Sequence, residues 1–295
     1  MKRVRATMLL ALATAAAACG GTRTDEPPVA TPSFASERSR VPLGSPIELT
    51  YTFDVAREAK IDGDYRVFVH FLDSEGELMW TDDHTPVPPT TAWKPGQKVS
   101  YSHTMFVPVY PYVGDARVRL GLYSASDGRR LPLNGKEDGE REYEVGSMSL
   151  APQSENIFLI YRDGWNRAES APDQPAIEWQ WTKKSAGLSF RNPKKDVVFL
   201  LESDGRPDVF APPQQVSIRV DDQVVHTFAM TDRNPVVRRI PITAAQLGTA
   251  DMVDMRIETD RTFVPAQIPA GQPGHGPDTR ELGIRVYHVF VGSKD

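Results

Sequence analysis

The sequence predicts an all-β protein built as two tandem β-sandwiches. Apolar residues recur with a period of two over many short stretches, which is typical of strands with one buried face. Pro (25 residues) and Gly (21 residues) are spread along the chain and interrupt these stretches with turns. No long stretch combines helical periodicity with strong helix formers, and 295 residues leave room for two domains of ordinary size.

The chain begins with a short basic segment that is followed by an apolar one. Lys2, Arg3 and Arg5 carry the positive charge, and residues 6–18 are uncharged and rich in Ala, Leu and Met. This apolar run is shorter than the roughly 20 residues that a membrane-spanning helix needs. The pattern is typical of a secretory signal peptide, so we expect residues 1–18 to be removed on export.

Cys19 follows this segment directly and is the only cysteine in the chain, so no intramolecular disulfide can form. The sequence Ala-Ala-Ala-Cys-Gly-Gly over residues 16–21 resembles the lipobox of bacterial lipoproteins, with Ala16 in place of the usual Leu. The resemblance implies lipidation of Cys19 and anchoring in the cell envelope. Gly20 favours the outer membrane, if the organism has one. The alternative is cleavage at an Ala-x-Ala site that leaves Cys19 as a free thiol.

Charge argues against nucleic acid as a partner. Without residues 1–18 the chain holds 31 basic and 39 acidic residues, a net charge near −8. Phosphate binding needs a basic surface, which this composition does not supply. No second hydrophobic stretch approaches spanning length, so the expected membrane contact is through the N-terminal lipid alone.

Residues 19–40 hold the lipidated cysteine and a polar, Pro-rich segment that we expect to be a flexible linker. Residues 41–151 then show the alternation of an immunoglobulin-like sandwich, with turns and a Pro-rich loop over residues 85–96. The predicted strands are Ile47–Val55, Tyr65–Leu72, Val99–Val107, Arg117–Tyr123 and Arg141–Leu150.

Residues 152–295 form the second predicted sandwich. Its predicted strands are Ile157–Tyr161, Ile177–Trp181, Gly187–Arg191, Val197–Leu201, Val216–Val220, Val224–Phe228, Val236–Ile242, Val253–Thr259 and Ile284–Val291. Residues 221–223 read as a hairpin turn, and the one helix-friendly stretch is Thr243–Leu247, closed by Gly248. Eight or nine strands with long loops favour a jelly roll.

Scattered motifs connect both blocks to known modules. The first block resembles a β-sandwich module of the C-terminal extracytoplasmic regions of bacterial membrane glycosyltransferases, in the motifs Val67–Gly76, Asp83-His84, Pro89-Thr90, Trp93, Pro95-Gly96, Gly121–Tyr123 and Arg130–Pro132. The second holds Gly164-Trp165, Glu169, Trp179 or Trp181, Phe263–Ala266 and Asp278–Gly283; it resembles a carbohydrate-binding-like jelly roll of bacterial glycan-biosynthesis proteins. The resemblance implies a glycan context without a catalytic domain.

Four residues of the second block are candidates for glycan binding. Trp165, Trp179 and Trp181 are crowded into seventeen residues, and Glu169 stands among them. Trp179 and Trp181 lie two apart on a predicted strand and therefore share a face. That face could equally be the core side, since large aromatic residues dominate cores. We expect Asp278 and Arg280, which flank a turn, to hold that loop in place.

We expect no enzymatic activity, no metal and no cofactor. No two histidines stand at ligand spacing, and no thiol remains. Asp82-Asp83-His84 is the most ligand-like cluster, but adjacent residues of a strand point to opposite faces. No Gly-x-Ser-x-Gly motif occurs.

The sequence thus predicts a noncatalytic, lipid-anchored envelope protein that binds glycan during the assembly, export or retention of a surface polysaccharide. Two alternatives stay open. One is a scaffold that recognises an envelope protein through strand edges or the residue 85–96 loop. The other, ranked last, is a glycan hydrolase with paired carboxylates.

Overall fold

The computed structural model describes residues 26–172 and 177–293. The predicted signal peptide, residues 1–18, and the predicted lipidation site Cys19 lie outside the described residues. Within them the chain is built mainly of β-strands, with one short α-helix, so the all-β prediction is confirmed. None of the helices in this part of the chain has the length and apolar composition that a membrane crossing requires.

Residues 30–151 form two sheets around one hydrophobic core. The strands are β1 (Ala30–Ser36), β2 (Arg40–Pro42), β3 (Pro46–Val55), β4 (Tyr65–Leu72), β5 (Leu78–Thr81), β6 (Lys98–Phe106), β7 (Gly114–Ser124), β8 (Arg130–Leu131), β9 (Lys136–Glu137) and β10 (Tyr143–Ala151). A sheet in the order β1-β3-β6 faces a larger one in the order β2-β10-β7-β4-β5, with β8 and β9 attached. Neighbours are antiparallel except for β2 and β10. The order β10-β7-β4-β5 matches one sheet of immunoglobulin-like sandwiches.

The first strand lies inside the segment that was predicted to be a linker. β1 pairs with β3 over its whole length, and the rings of Phe34 and Tyr51 lie 5.7 Å apart. Pro32 made the segment look unstructured, but β1 is an edge strand, where a missing backbone N–H is tolerated. The linker prediction for residues 19–40 was therefore wrong from Ala30 onward.

Large side chains from both sheets fill the first core. The largest fully buried ones include Tyr51, Phe53, Phe71, Leu120 and Leu122. Trp93, from the Pro-rich loop, packs on Phe53 with ring centroids 4.9 Å apart, and its Nε1 donates to the carbonyl of Pro88. The loop over residues 85–96 is thus anchored to the core.

Residues 159–293 form the second pair of sheets. The strands are β11 (Leu159–Tyr161), β12 (Glu169–Ser170), β13 (Glu178–Trp181), β14 (Ser185–Arg191), β15 (Val197–Asp204), β16 (Gln215–Val220), β17 (Gln223–Ala229), β18 (Val236–Ile242), β19 (Met252–Thr259) and β20 (Arg285–Ser293). The β19 sheet has the order β11-β14-β19-β16-β17, and the β20 sheet has the order β12-β13-β20-β15-β18. Two facing antiparallel sheets make this part of the chain a β-sandwich.

Local signals in the second sandwich also behave as predicted. The helix α1 spans Ala244–Leu247, begins with a capping box at Thr243 and ends at Gly248. The turn at residues 221–222 joins β16 to β17. The three short 3-10 helices are Thr90–Ala92, Gln153–Glu155 and Pro265–Gln267.

Polar and aromatic contacts join the two sandwiches. Arg40 donates two hydrogen bonds of 2.6 Å to Glu155, and the side chain of Asn156 accepts from Ser45. The ring of Phe106, at the end of β6, stacks on that of His288 of β20 at 4.3 Å. Strand β6 of the first sandwich therefore lies beside the outer face of the β20 sheet.

Candidate functional site

Two of the predicted tryptophans lie on one face of β13, as their spacing predicts. The guanidinium carbon of Arg285, on the neighbouring strand β20, lies 5.5 Å from the ring centroid of Trp179 and 5.6 Å from that of Trp181. Trp181 is buried in a small cluster with Phe210 and Phe263, whereas Trp179 is only half-buried. Trp181 is therefore a core residue, and Trp179 supplies the accessible indole.

A buried carboxylate fixes Arg285. Asp204 is fully buried and accepts two hydrogen bonds from Arg285, of 2.7 and 2.5 Å, and one of 2.9 Å from the Tyr287 hydroxyl. Burial works to lower the pKa of Arg285, but the Asp204 carboxylate outweighs it and holds that pKa above its ordinary value. Burial and the charge of Asp204 raise the pKa of Tyr287, so its hydroxyl stays protonated.

A second arginine extends this face of the sheet. Arg280 donates to Glu169 at 2.8 Å and to Asp278 at 3.0 and 2.6 Å. These hydrogen bonds hold the pKa of Asp278 low and raise that of Arg280. Glu169 lies opposite Trp179 in the pairing of β12 with β13. Asp278 and Arg280, which were expected only to hold the loop, are thus also connected to Glu169, a predicted glycan-binding residue.

Five half-buried residues form one continuous polar and aromatic surface. We call it the arginine–aromatic surface; it consists of Glu169, Trp179, Arg280, Arg285 and Tyr287. The Arg285 guanidinium lies over the rings of Trp179 and Tyr287, and carboxylates hold the guanidinium groups of both Arg285 and Arg280 in place. Such a surface presents flat apolar rings beside fixed hydrogen-bonding groups.

Trp165 does not belong to this surface. It packs against the main core of the second sandwich, and its ring meets that of Tyr161 edge to face at 4.9 Å. Its Nε1 donates to the carbonyl of Gly187 at 2.8 Å. The sequence grouped Trp165 with Trp179 and Trp181, but the structure places it in a different hydrophobic cluster.

We expect Trp165→Phe to destabilise the protein by about 1–2 kcal/mol, because the variant loses one hydrogen bond and some ring volume. The carbonyl of Gly187 keeps its bond from the Arg162 N–H, which limits the cost. Urea unfolding measures the change. Trp179→Phe is the matched control. The Nε1 of Trp179 has no hydrogen-bond partner among the described residues, so this variant should lose less stability. Equal costs for the two variants would contradict this assignment.

A second cluster lies between the sheets of the first sandwich. We call it the histidine cluster; it consists of Tyr51, Asp82, His84, Tyr101 and His103. The buried Asp82 accepts from Tyr51 at 2.8 Å, and His103 Nδ1 lies 3.0 Å from Asp82 Oδ1. His84 Nε2 lies 2.8 Å from the Tyr101 hydroxyl.

The members of the histidine cluster shift one another's pKa values. Burial works to raise the pKa of Asp82, but hydrogen bonds from His103 and Tyr51 outweigh it and hold that pKa below its ordinary value. The hydrogen bond to Asp82 raises the pKa of His103, whereas burial lowers that of His84. The two histidines therefore favour opposite charge states.

The expectation that Asp82-Asp83-His84 is divided between opposite faces holds only for its adjacent residues. Asp82 and Asp83 do point apart, since Asp82 is buried and Asp83 exposed. Asp82 and His84, however, are two residues apart in an extended chain and share a face. His103 joins them from β6, which no local pattern could indicate.

The sequence also missed Asp204, Arg285 and Tyr287. They lie on two strands far apart along the chain, and only the pairing of β15 with β20 brings them together. The available signal was the polar–apolar alternation of Arg285, Val286 and Tyr287 at the start of a predicted strand. That alternation indicates that Arg285 and Tyr287 share one face of the strand. It does not indicate which acidic residue of a neighbouring strand pairs with them.

Comparisons with known proteins give no family for this chain: no family model and no curated protein matches it. Among solved structures, a calcium-binding mutant of Bacteroides uniformis β-glucuronidase 2 is similar over 90% of this chain and 30% of its own, at 7% identity and a TM-score of 0.29. The M60 catalytic domain with two CBM51 domains of Clostridium perfringens ZmpB is similar over 83% of this chain and 34% of its own, at 8% identity and a TM-score of 0.21. The S. aureus collagen adhesin is similar over 90% of this chain and 96% of its own, at 10% identity and a TM-score of 0.18. This chain spans about a third of the first two, and TM-scores this low carry no argument about function.

Proposed function

We propose that this chain is a noncatalytic, lipid-anchored protein of the cell envelope whose second sandwich binds glycan during the assembly, export or retention of a surface polysaccharide. The observation that carries the proposal is the arginine–aromatic surface. The resemblance of the second block to carbohydrate-binding-like domains points in the same direction.

The aromatic part of the surface suits the apolar faces of sugar rings. Trp179 and Tyr287 are half-buried, and their rings lie 6.1 Å apart. The face of an aromatic ring carries partial negative charge, which attracts the C–H groups of a pyranose. Because Arg285 packs against both rings, the platform is held rigid and needs little ordering when a sugar binds.

The polar part of the surface suits sugar hydroxyl groups. A carboxylate has about four acceptor sites, so Glu169 of the surface and Asp278, which shares Arg280 with it, keep acceptor capacity after this pairing. Hydroxyl groups both donate and accept, and can therefore bind to a carboxylate and a guanidinium at once. The ion pairs fix the direction of these groups before the ligand arrives.

The charge of the surface favours a neutral glycan. Two cations of the surface, Arg280 and Arg285, are paired with three acids: Glu169 within the surface, and Asp204 and Asp278, which are bonded to it from outside. Each guanidinium is already neutralised by a carboxylate, so an acidic sugar would meet repulsion without a free positive partner. We therefore expect binding to neutral sugar residues with little dependence on salt.

Affinity electrophoresis tests the proposal. Residues 20–295 are run in gels with and without the surface polysaccharide of the same organism, as wild type, Trp179→Ala and Phe158→Ala. Phe158 is 80% exposed and lies outside the arginine–aromatic surface, which makes it a matched control. We expect retardation of wild type and Phe158→Ala, and none of a folded Trp179→Ala.

Two results would count against the proposal. Wild type that migrates equally with and without polysaccharide lacks the binding activity. Retardation of Trp179→Ala as strong as that of wild type would remove the arginine–aromatic surface as the site. Circular dichroism of each variant separates loss of binding from loss of fold.

The lipid anchor has its own test. We expect wild type to fractionate with membranes and to take up labelled palmitate, and we expect Cys19→Ser to lose both properties, because Cys19 is the only thiol available for acylation. Even a single acyl chain gives measurable membrane binding, and several chains give stable anchoring. Unlabelled wild-type protein in the soluble fraction would contradict the anchor and leave the glycan proposal standing.

A further inference from the structure

The histidine cluster takes no part in the proposed glycan function. One carboxylate oxygen of Asp82 and one ring nitrogen each of His84 and His103 lie within 4.8 Å of one another. Imidazole nitrogen and carboxylate oxygen are ligands that zinc takes in proteins, commonly three from the protein with water in the fourth position. The residue types and their number therefore match an open zinc site.

The spacing of the donor atoms is close to that of a coordinated ion. Zinc–ligand distances of roughly 2.0–2.2 Å in a tetrahedron place ligand atoms roughly 3.3–3.6 Å apart. His103 Nδ1 lies 3.1 Å and His84 Nδ1 lies 3.7 Å from the same atom, Asp82 Oδ2. His84 Nδ1 also donates to the backbone carbonyl of Asp82 at 2.8 Å, so an ion bound at Nδ1 would replace this hydrogen bond while the ring proton moves to Nε2.

Two tyrosines orient the candidate ligands through hydrogen bonds, as residues next to metal ligands commonly do. The Tyr51 hydroxyl donates to Asp82 Oδ2 and orients the carboxylate. When His84 binds through Nδ1, its Nε2–H faces the Tyr101 hydroxyl at 2.8 Å and can donate to it. Ligating histidines typically use the second ring nitrogen in this way.

The electrostatic surroundings favour a cation. Asp82 is buried, and the charge of Glu202, on β15 of the second sandwich, also acts on His103. The negative charge of both carboxylates favours a cation at His103.

We propose that Asp82, His84 and His103 bind a divalent transition-metal ion of the zinc type. The ion takes the place of the proton between His103 and Asp82, and that proton leaves to solvent. His103 belongs to the sheet of β3 and β6, whereas Asp82 and His84 continue the edge of the opposite sheet. The ion therefore clamps the two sheets of the first sandwich together.

Titration calorimetry tests this site, with ZnCl2 added to the purified chain after EDTA treatment and dialysis. We expect one zinc ion per chain in wild type, and in His103→Gln a loss of affinity beyond about 100-fold, the upper range for removal of a merely supporting residue. His226→Gln is the matched control, since His226 is an exposed histidine on β17 of the second sandwich, and it should bind as wild type does. Tyr51→Phe should lose about 10- to 100-fold.

Cobalt gives a second readout that does not depend on the stability of a variant. Co²⁺ bound in the wild-type chain should show the intense visible absorption of a tetrahedral site, and Zn²⁺ should displace it. A wild-type chain that binds neither ion, or a His103→Gln variant that binds zinc as tightly as His226→Gln, overturns the proposal. Such a chain would hold Tyr51, Asp82 and His103 as a hydrogen-bonded network alone. Trp179→Ala, which should lose glycan binding, should still bind zinc. Failure of the zinc proposal is therefore distinguishable from failure of the glycan proposal.

Discussion

Asp204→Ala is expected to destabilise the protein by about 3–5 kcal/mol, the cost of breaking a buried ion pair from one side. Asp204 is fully buried, yet it accepts hydrogen bonds from both Arg285 and Tyr287. Its removal leaves the guanidinium of Arg285, whose side chain is only 27% exposed, beside two tryptophan rings and without its anion. The same change should loosen the arginine–aromatic surface.

Urea unfolding at neutral pH measures this loss, with Asp163→Ala as the control. Asp163 also pairs with an arginine of the second sandwich, Arg256 at 3.0 Å, but its side chain is 69% exposed. An exposed pair contributes about 0–1 kcal/mol, so the control should lose no more than that. Equal losses of stability in the two variants would contradict the claim that burial makes the Asp204–Arg285 ion pair more stabilising than an exposed one.

Gly164→Ala is the second change with a large expected effect, a loss of about 3 kcal/mol or more. Gly164 has a φ of +85°, and a Cβ at this position would lie 1.8 Å from the carbonyl oxygen of Ser185. Because the clash is with backbone, no side-chain rotation relieves it. The turn that delivers Trp165 to the core would have to move away from β14.

A second glycine separates the two causes of this loss. Gly271 has nearly the same φ, +83°, but a Cβ there would meet no atom within 4 Å. Gly271→Ala should therefore cost only the conformational part, about 1–2 kcal/mol. Thermal unfolding of both variants gives the comparison, and equal losses would show that close packing against Ser185 is not limiting.

Strand positions could be predicted well because each buried strand carries its own periodic signal. Tyr65–Leu72 and Val236–Ile242 match β4 and β18 to the residue. Burial on one face forces the alternation, and turns force Gly, Pro or Asp at the ends. β1 lacked this signal because its apolar positions include Pro32 and Ala30, which alternation does not single out.

The candidate sites could be predicted only where their members are local. The shared face of Trp179 and Trp181 followed from a spacing of two on one strand. Which face is buried, and whether Trp165 lies on the same side, depends on pairing with distant strands. The same holds for His103, which reaches Asp82 only because β6 and the chain after β5 meet at one edge.

The indole N–H signals in a heteronuclear NMR spectrum test the central claim, glycan binding at the arginine–aromatic surface, most directly. The chain has five tryptophans, and each Trp→Phe variant assigns one signal. Oligosaccharides from the organism's own surface polysaccharide should shift the Trp179 signal and leave those of Trp93 and Trp165, which are bonded to backbone carbonyls, in place. No shift at Trp179, or a shift at Trp165 in its stead, would contradict the account.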